Sequence, residues 1–208
     1  VNEDKIQRCI TQLREHALVK SALTQLRNEL APNLLYHSYA HTEDVLSETV
    51  RFALIDGVSA REIELLAIAA AYHDIGFIQT RVQNEPIGAE KAREAMVQNG
   101  GYSDKEVALV SQMILDTALV EGATGPQRIC STPLSGYLLD ADLTTLGRDD
   151  FFTKGELLRQ ELEQGQEAFL RTSLALLTSH SWFTEAARSL RQTRKEENLT
   201  SLKRLLEK

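Results

Sequence analysis

The run Leu65-Leu66-Ala67-Ile68-Ala69-Ala70-Ala71-Tyr72 is made of good helix formers and is apolar on nearly every face. Such a segment is stable only as a helix buried in a core. At its end, just before Gly76, stand His73 and Asp74. A carboxylate at that depth loses its hydration, and the cost is several kcal/mol unless a cation or strong donors replace the water. No Arg or Lys lies within a turn of Asp74 on this helix. A bound metal ion is the simplest compensation, so the useful question is which other side chains could meet His73 and Asp74.

The rest of the chain reads as helices. Ile6, Ile10, Leu13, Leu18, Leu23 and Leu26 recur at helical spacing and predict one amphipathic helix over 5–30, stopped at Ala31-Pro32-Asn33. His16, among charged neighbours, reads as a surface residue. Ser38 is positioned to cap a helix running to about Ile55. Ser59 with Glu62 three residues on forms a capping-box signature for the apolar helix. Pro86 reads as a first helical residue, and Ser103 begins a further helix. Glu121 to Pro133 carries the Gly, Pro and small polar residues of a loop. Helices are expected over about 149–163, 166–179 and 184–206. No segment alternates with period two over β-branched residues. The expectation is an all-α chain of about eight helices forming one domain over 1–208. Its core spans about 34–165, with the N-terminal helix and the helices of 166–206 packed on it. Leu190, Leu199, Leu202 and Leu206 form the apolar stripe of the last helix, which packs on the body or on a second copy, as in a homodimer.

Composition narrows the function. The 208 residues carry a net charge of -7, the opposite of the basic footprint of a nucleic-acid or membrane-surface binder. No apolar run approaches the ~20 residues of a membrane span. No basic start is followed by an apolar segment, so a cytoplasmic protein is expected. Cys9 and Cys130 are far apart and in no paired motif, and are expected to be reduced thiols.

Three places put metal-capable side chains in apolar or structured surroundings: His41 in the opening turn of its helix, His73-Asp74, and Asp140-Ala141-Asp142 within a late apolar run. Each has an ordinary reading as well. His73 alone is a hydrogen-bonded core histidine, Asp140 a cap or an acceptor behind the site, and Asp142 alone an N-cap. Two imidazoles with two carboxylates leave open positions on a six-coordinate ion. That set suits one divalent Mn, Fe, Co or Ni; Mg suits it less, and a closed structural Zn site is disfavoured without thiolates.

Taken in order, these residues resemble the HD-domain superfamily of metal-dependent phosphohydrolases. Tyr36-His37 followed by His41, Ala70-Ala71-Tyr72-His73-Asp74-Ile75-Gly76, Asn84-Glu85 with Ala89, Leu139-Asp140-Ala141-Asp142-Leu143 with Leu146-Gly147, and Leu158-Arg159 with Glu161 are similar to motifs of a predicted HD phosphohydrolase subgroup. The resemblance implies His41, His73, Asp74 and Asp142 as metal ligands. It also implies hydrolysis of a nucleotide or other small phosphate ester by a metal-activated water. No histidine lies between His73 and His180, whereas the dinuclear members, oxygenases among them, use extra histidines there; a single metal is therefore expected. Asp74 is then both ligand and proton acceptor. Glu85 acts as general acid or base, or is simply an acidic residue favoured at a helix start. His37 and Arg81, followed by Lys154 and Arg159, are the expected phosphate donors. The partner is a small phosphorylated substrate, with no nucleic-acid polymer and no membrane. The competing reading is a non-catalytic or degenerate HD module that binds metal and recognises a ligand or partner without turnover.

Overall fold

The capping boxes form as their sequences require. In the computed structural model, which describes residues 2–122 and 125–207, Ser59 accepts from the Glu62 amide while the Glu62 carboxylate accepts from the Ser59 amide. Ser103 and Glu106 repeat the device, and the Ser38 hydroxyl accepts from the His41 amide. Each satisfies amides that a helix start leaves without partners. Residues 1, 123, 124 and 208, including part of the expected 121–133 loop, lie outside the described residues.

Ten α-helices are described: α1 (Glu3–Arg14), α2 (Ala17–Glu29), α3 (Tyr39–Ile55), α4 (Ala60–Tyr72), α5 (Asn84–Asn99), α6 (Asp104–Leu115), α7 (Ser135–Asp142), α8 (Phe151–Glu161), α9 (Gln166–Ser179) and α10 (Glu185–Leu206). Short 3-10 helices follow α4 (Ile75–Ile78) and α7 (Thr144–Gly147). The all-α expectation holds, with more helices than expected. The helix expected over 5–30 is two. His16 adopts an extended conformation between them and occupies the N-cap position of α2 without a side-chain capping bond. This break lets α2 pack on α4 while α1 packs on α3. His16 is not a free surface residue either: its Nε2 lies 3.2 Å from the Tyr102 hydroxyl.

Helix α4 is the hub. Its residues from Leu65 to Tyr72 are all buried, enclosed by α2, α3, α5, α6 and α7. Two glycines let α5 approach. A Cβ on Gly88 would meet the Tyr72 carbonyl oxygen at 2.7 Å, and one on Gly76 would meet the Asn84 carbonyl oxygen at 2.1 Å. The start of α5 is thereby pressed against the end of α4, where His73 and Asp74 sit. Helix α7 packs against α3 and α4.

One element departs from the all-helical reading. At the start of the expected loop, β1 (Val120–Gly122) and β2 (Gly125–Gln127) pair antiparallel, and β2 lies against α9. At three residues each, these strands are too short for an alternation signal. Among the described residues no helix is long and apolar enough to cross a membrane. Cys9 and Cys130 are free thiols.

Candidate metal centre

Three helix ends meet at one point. His41 is the third residue of α3, its turn held by Ser38. His73 closes α4 in helical conformation, and its Nδ1 lies 2.7 Å from the Ala70 carbonyl oxygen. A carbonyl only accepts, so Nδ1 carries a proton, and Nε2 is the ring atom that presents a lone pair to a metal ion when the ring is neutral. Asp74 then leaves the helix, at φ -106° and ψ 5°. On a continuing helix, neighbouring side chains would diverge. The exit allows the two to converge, with His73 Nε2 3.2 Å from Asp74 Oδ2. Asp142 is the last residue of α7.

His41 Nε2 lies 2.9 Å from Asp142 Oδ1 and 3.4 Å from Asp74 Oδ2, and His73 Nε2 lies 3.6 Å from Asp142 Oδ1. His41, His73 and Asp142 each offer a ligand atom within 4.8 Å of the others. All four residues are buried, His73 completely. Despite these short separations, His41 Nε2, His73 Nε2 and Asp74 Oδ2 have no aligned hydrogen-bond partner among the described residues. Buried polar atoms left unpaired are rare and costly. Two imidazole nitrogens and carboxylate oxygens crowded around one point, without hydrogen bonds among them, have the chemistry and spacing of a divalent-ion site with ligands near 2 Å. The donor set fits one such ion, held by His41, His73 and Asp142 with Asp74 alongside.

The electrostatics are those of a tightly coupled cluster. Burial pushes Asp74 up, but the His73 charge beside it outweighs burial and holds the carboxyl below its ordinary range. Asp142 is driven well below that range: burial opposes ionisation, and Arg128 with the two imidazoles overcomes it. His73 is raised well above an ordinary imidazole, since the Asp74 charge offsets its burial.

Two supporting residues were not assigned roles from the sequence. Arg128 follows β2, and its nearly buried guanidinium donates through Nη2 to Asp142 Oδ2 at 2.5 Å and through Nη1 to the Leu139 carbonyl at 3.4 Å. Glu161, at the end of α8, accepts from the Tyr36 amide at 2.7 Å and the His37 amide at 3.1 Å, and lies 2.5 Å from His37 Nδ1. Burial pushes His37 down, but its hydrogen bond to Glu161 prevails and raises it. His37 also stacks on Phe77, with ring centroids 4.3 Å apart. Glu161 lies within a quoted motif, so a buried acid at the end of α8 was the available signal. Arg128 offered none.

The expected substrate residues are dispersed. The His37 ring lies 5.9 Å from that of His41. Arg81 spends two nitrogens on the carbonyls of Glu161 and Asn33, at 3.0 and 3.4 Å. Arg159 is engaged by Glu156 at 2.7 Å and the Gln164 carbonyl at 2.7 Å. It lies about 200° around α8 from Glu161. Lys154 is half-buried near the start of α8. Glu85 is half-buried in the first turn of α5, the helix that Gly76 and Gly88 seat against the end of α4. Asp140 is no ligand: its carboxylate accepts from the amides of Phe183 and Thr184 and from the Thr184 hydroxyl, at 2.7–3.2 Å, and thereby anchors the start of α10.

No family model matches the chain, and no curated protein matches it. Among solved structures, it is similar to the crystal structure of a predicted HD superfamily hydrolase from an uncultured Thermotogales bacterium. The identity is 19%, the match covers 93% of this chain and 91% of that one, and the TM-score is 0.59. Together with the helix order and the converging helix ends, this likeness gives the chain the HD-type all-α fold.

Proposed function

We propose that the chain is a metal-dependent phosphohydrolase acting on a nucleotide or another small phosphate ester. The observation that carries this reading is the trio of buried, unpartnered atoms, His41 Nε2, His73 Nε2 and Asp74 Oδ2, gathered beside Asp142. A single divalent Mn, Fe, Co or Ni held there supplies Lewis-acid polarisation of a phosphoryl oxygen and a water that ionises near neutrality. The chain's own groups do the rest. The Ala70 carbonyl fixes the His73 tautomer, and Arg128 occupies one Asp142 oxygen so that the other faces His41. Asp74 accepts the proton of the attacking water. Glu85 serves as general acid or base from the start of α5. Glu161 keeps His37 cationic to higher pH, and that charge stabilises negative charge developing on the phosphoryl group. The substrate is small and phosphorylated.

The test is phosphate release from a panel of nucleoside monophosphates and simple phosphate esters with added Mn, Co or Ni. The wild type turns over at least one, and Asp74→Asn loses activity by about 10³-fold or more, as for loss of a group acting on the transition state. Equal residual rates in the two proteins would remove the catalytic role. One observation favours a second reading, a module that binds a ligand without turnover: Arg81 and Arg159, the expected phosphate donors, are engaged by backbone carbonyls and Glu156. Metal-dependent ligand binding with no turnover across the panel would select it.

A further inference from the structure

Tyr36 lies directly against the cluster. Its ring packs on that of His41, with centroids 4.8 Å apart and planes tilted by 37°. Its backbone is pinned on both sides. The amide donates to Glu161 Oε2 at 2.7 Å, and the carbonyl accepts from the Ser38 amide at 2.7 Å. Of the rings around His41, that of His73 is fully buried, whereas those of Tyr36 and His37 belong to half-buried residues. The approach to His41 from solvent thus runs past Tyr36 and His37. The Tyr36 hydroxyl keeps a proton to give. Asp142 and Asp74 act on it through charge and not through a hydrogen bond, and Thr145 is its hydrogen-bonding neighbour. A hydroxyl accepts as well as donates, so a bond taken from Thr145 leaves the phenol proton free.

We infer that Tyr36 is a substrate-contacting residue whose hydroxyl donates a hydrogen bond to a phosphoryl oxygen at the cluster. The inference rests on the phosphohydrolase reading for what carries that oxygen. Negative charge developing on a phosphoryl group is stabilised by donors fixed in place beforehand. The arginines nearby are already engaged: Arg81 and Arg159 by carbonyls and Glu156, and Arg128 by Asp142. Tyr36 and His37 are left as the side-chain donors whose rings flank His41. A neutral donor suits that place, because a further cation beside the ligands would repel a divalent ion. Packing alone does not call for the hydroxyl, since a phenylalanine ring would cover His41 equally well.

The test uses Tyr36→Phe, which keeps the ring and removes the hydroxyl. Mn affinity, read by calorimetric titration, and Tm should both be unchanged. Inorganic phosphate titrated into the Mn-loaded protein should bind about 10–100-fold more weakly than to the wild type, as for loss of a hydrogen bond to a charged group. In the wild type, phosphate should also perturb the near-ultraviolet absorption of tyrosine, a reading that stands even where the variant fails to fold. On the ester panel, kcat/KM should fall by a similar factor in Tyr36→Phe. Equal phosphate affinity in the two proteins, no tyrosine perturbation, or no phosphate binding by the wild type overturns the inference. A parallel loss of Mn affinity also overturns it, because Tyr36 would then act only by positioning His41. Tyrosine-dependent phosphate binding with no ester turned over sinks the phosphohydrolase reading and leaves the contact. Turnover at equal rates in the two proteins, with equal phosphate affinity, sinks the contact alone.

Discussion

Arg128 and Asp142 are joined at 2.5 Å between Nη2 and Oδ2, while the other oxygen of Asp142 stands 2.9 Å from His41 Nε2. One carboxylate is thus divided between a cation that orients it and the point where three helix ends meet. Residues that orient ligands in this way matter nearly as much as the ligands themselves. Arg128→Gln should weaken Mn binding by about 10–100-fold, read by calorimetric titration. Arg128→Lys should restore only part, because an ammonium lacks the planar fork that reaches both Asp142 and the Leu139 carbonyl. Unchanged affinity in Arg128→Gln would mean that Asp142 is held by the backbone of α7 alone.

Metal binding should stabilise the fold by mass action. At a free Mn concentration about 100 times the Kd, the gain is about 2.7 kcal/mol. For a chain of this size that raises Tm by about 5–10 °C. A chelator should reverse the rise, and Asp74→Asn should lose most of it. A Tm that ignores both Mn and chelator would count against the site.

Glu161 satisfies two backbone amides and the His37 ring from a side chain only 2% exposed. Glu161→Gln keeps an acceptor but removes the charge, and should cost about 2 kcal/mol in denaturant unfolding. The titration midpoint of His37, followed by NMR, should fall in the variant, because its hydrogen bond to Glu161 is what holds it up. An unmoved midpoint would assign the elevation to Asp74 and Asp142 instead.

His180 sets an acid-side limit on stability. Its folded value lies near 3 against an ordinary 6.5, owing first to burial and then to Lys195 and Arg128. As pH drops below about 6.5 the unfolded chain takes up a proton that the native state refuses, so stability falls from there toward pH 3 and is untouched above. The contribution has a limiting slope of about 1.4 kcal/mol per pH unit. Urea midpoints between about pH 7.5 and 5 should therefore fall more steeply for the wild type than for His180→Gln. Parallel curves would show that His180 is protonated in the native state.

What could be read early was what is local. The capping boxes at Ser59 and Ser103, the cap at Ser38 and the buried character of Leu65 to Tyr72 each depend on residues within a turn or two of one another. The break at His16 was not legible, because apolar spacing continues through it and only the packing of α2 on α4 requires the chain to turn. The strand pair Val120–Gly122 and Gly125–Gln127 was missed for the opposite reason, since its strands are too short to show a period. Among the site residues, Arg81 has the right charge, but its position is decided by the carbonyls of Glu161 and Asn33, which no spacing rule reveals, whereas Arg159 is taken by Glu156 three residues before it and by the Gln164 carbonyl.

The sequence by itself determined that the chain is helical and that His73 and Asp74 end a buried helix where an ionised acid needs compensation. Through its resemblance it also pointed to His41 and Asp142 as the other expected ligands. Only the tertiary structure decided that Arg128 holds Asp142 and that Glu161 clasps Tyr36 and His37. It alone decided that Asp140, two residues from Asp142, faces away to anchor α10. The reason is physical. Burial and helix ends follow from short-range patterning, whereas the partner of a buried charge is set by how distant segments pack, and Glu161 lies 124 residues from the histidine it holds.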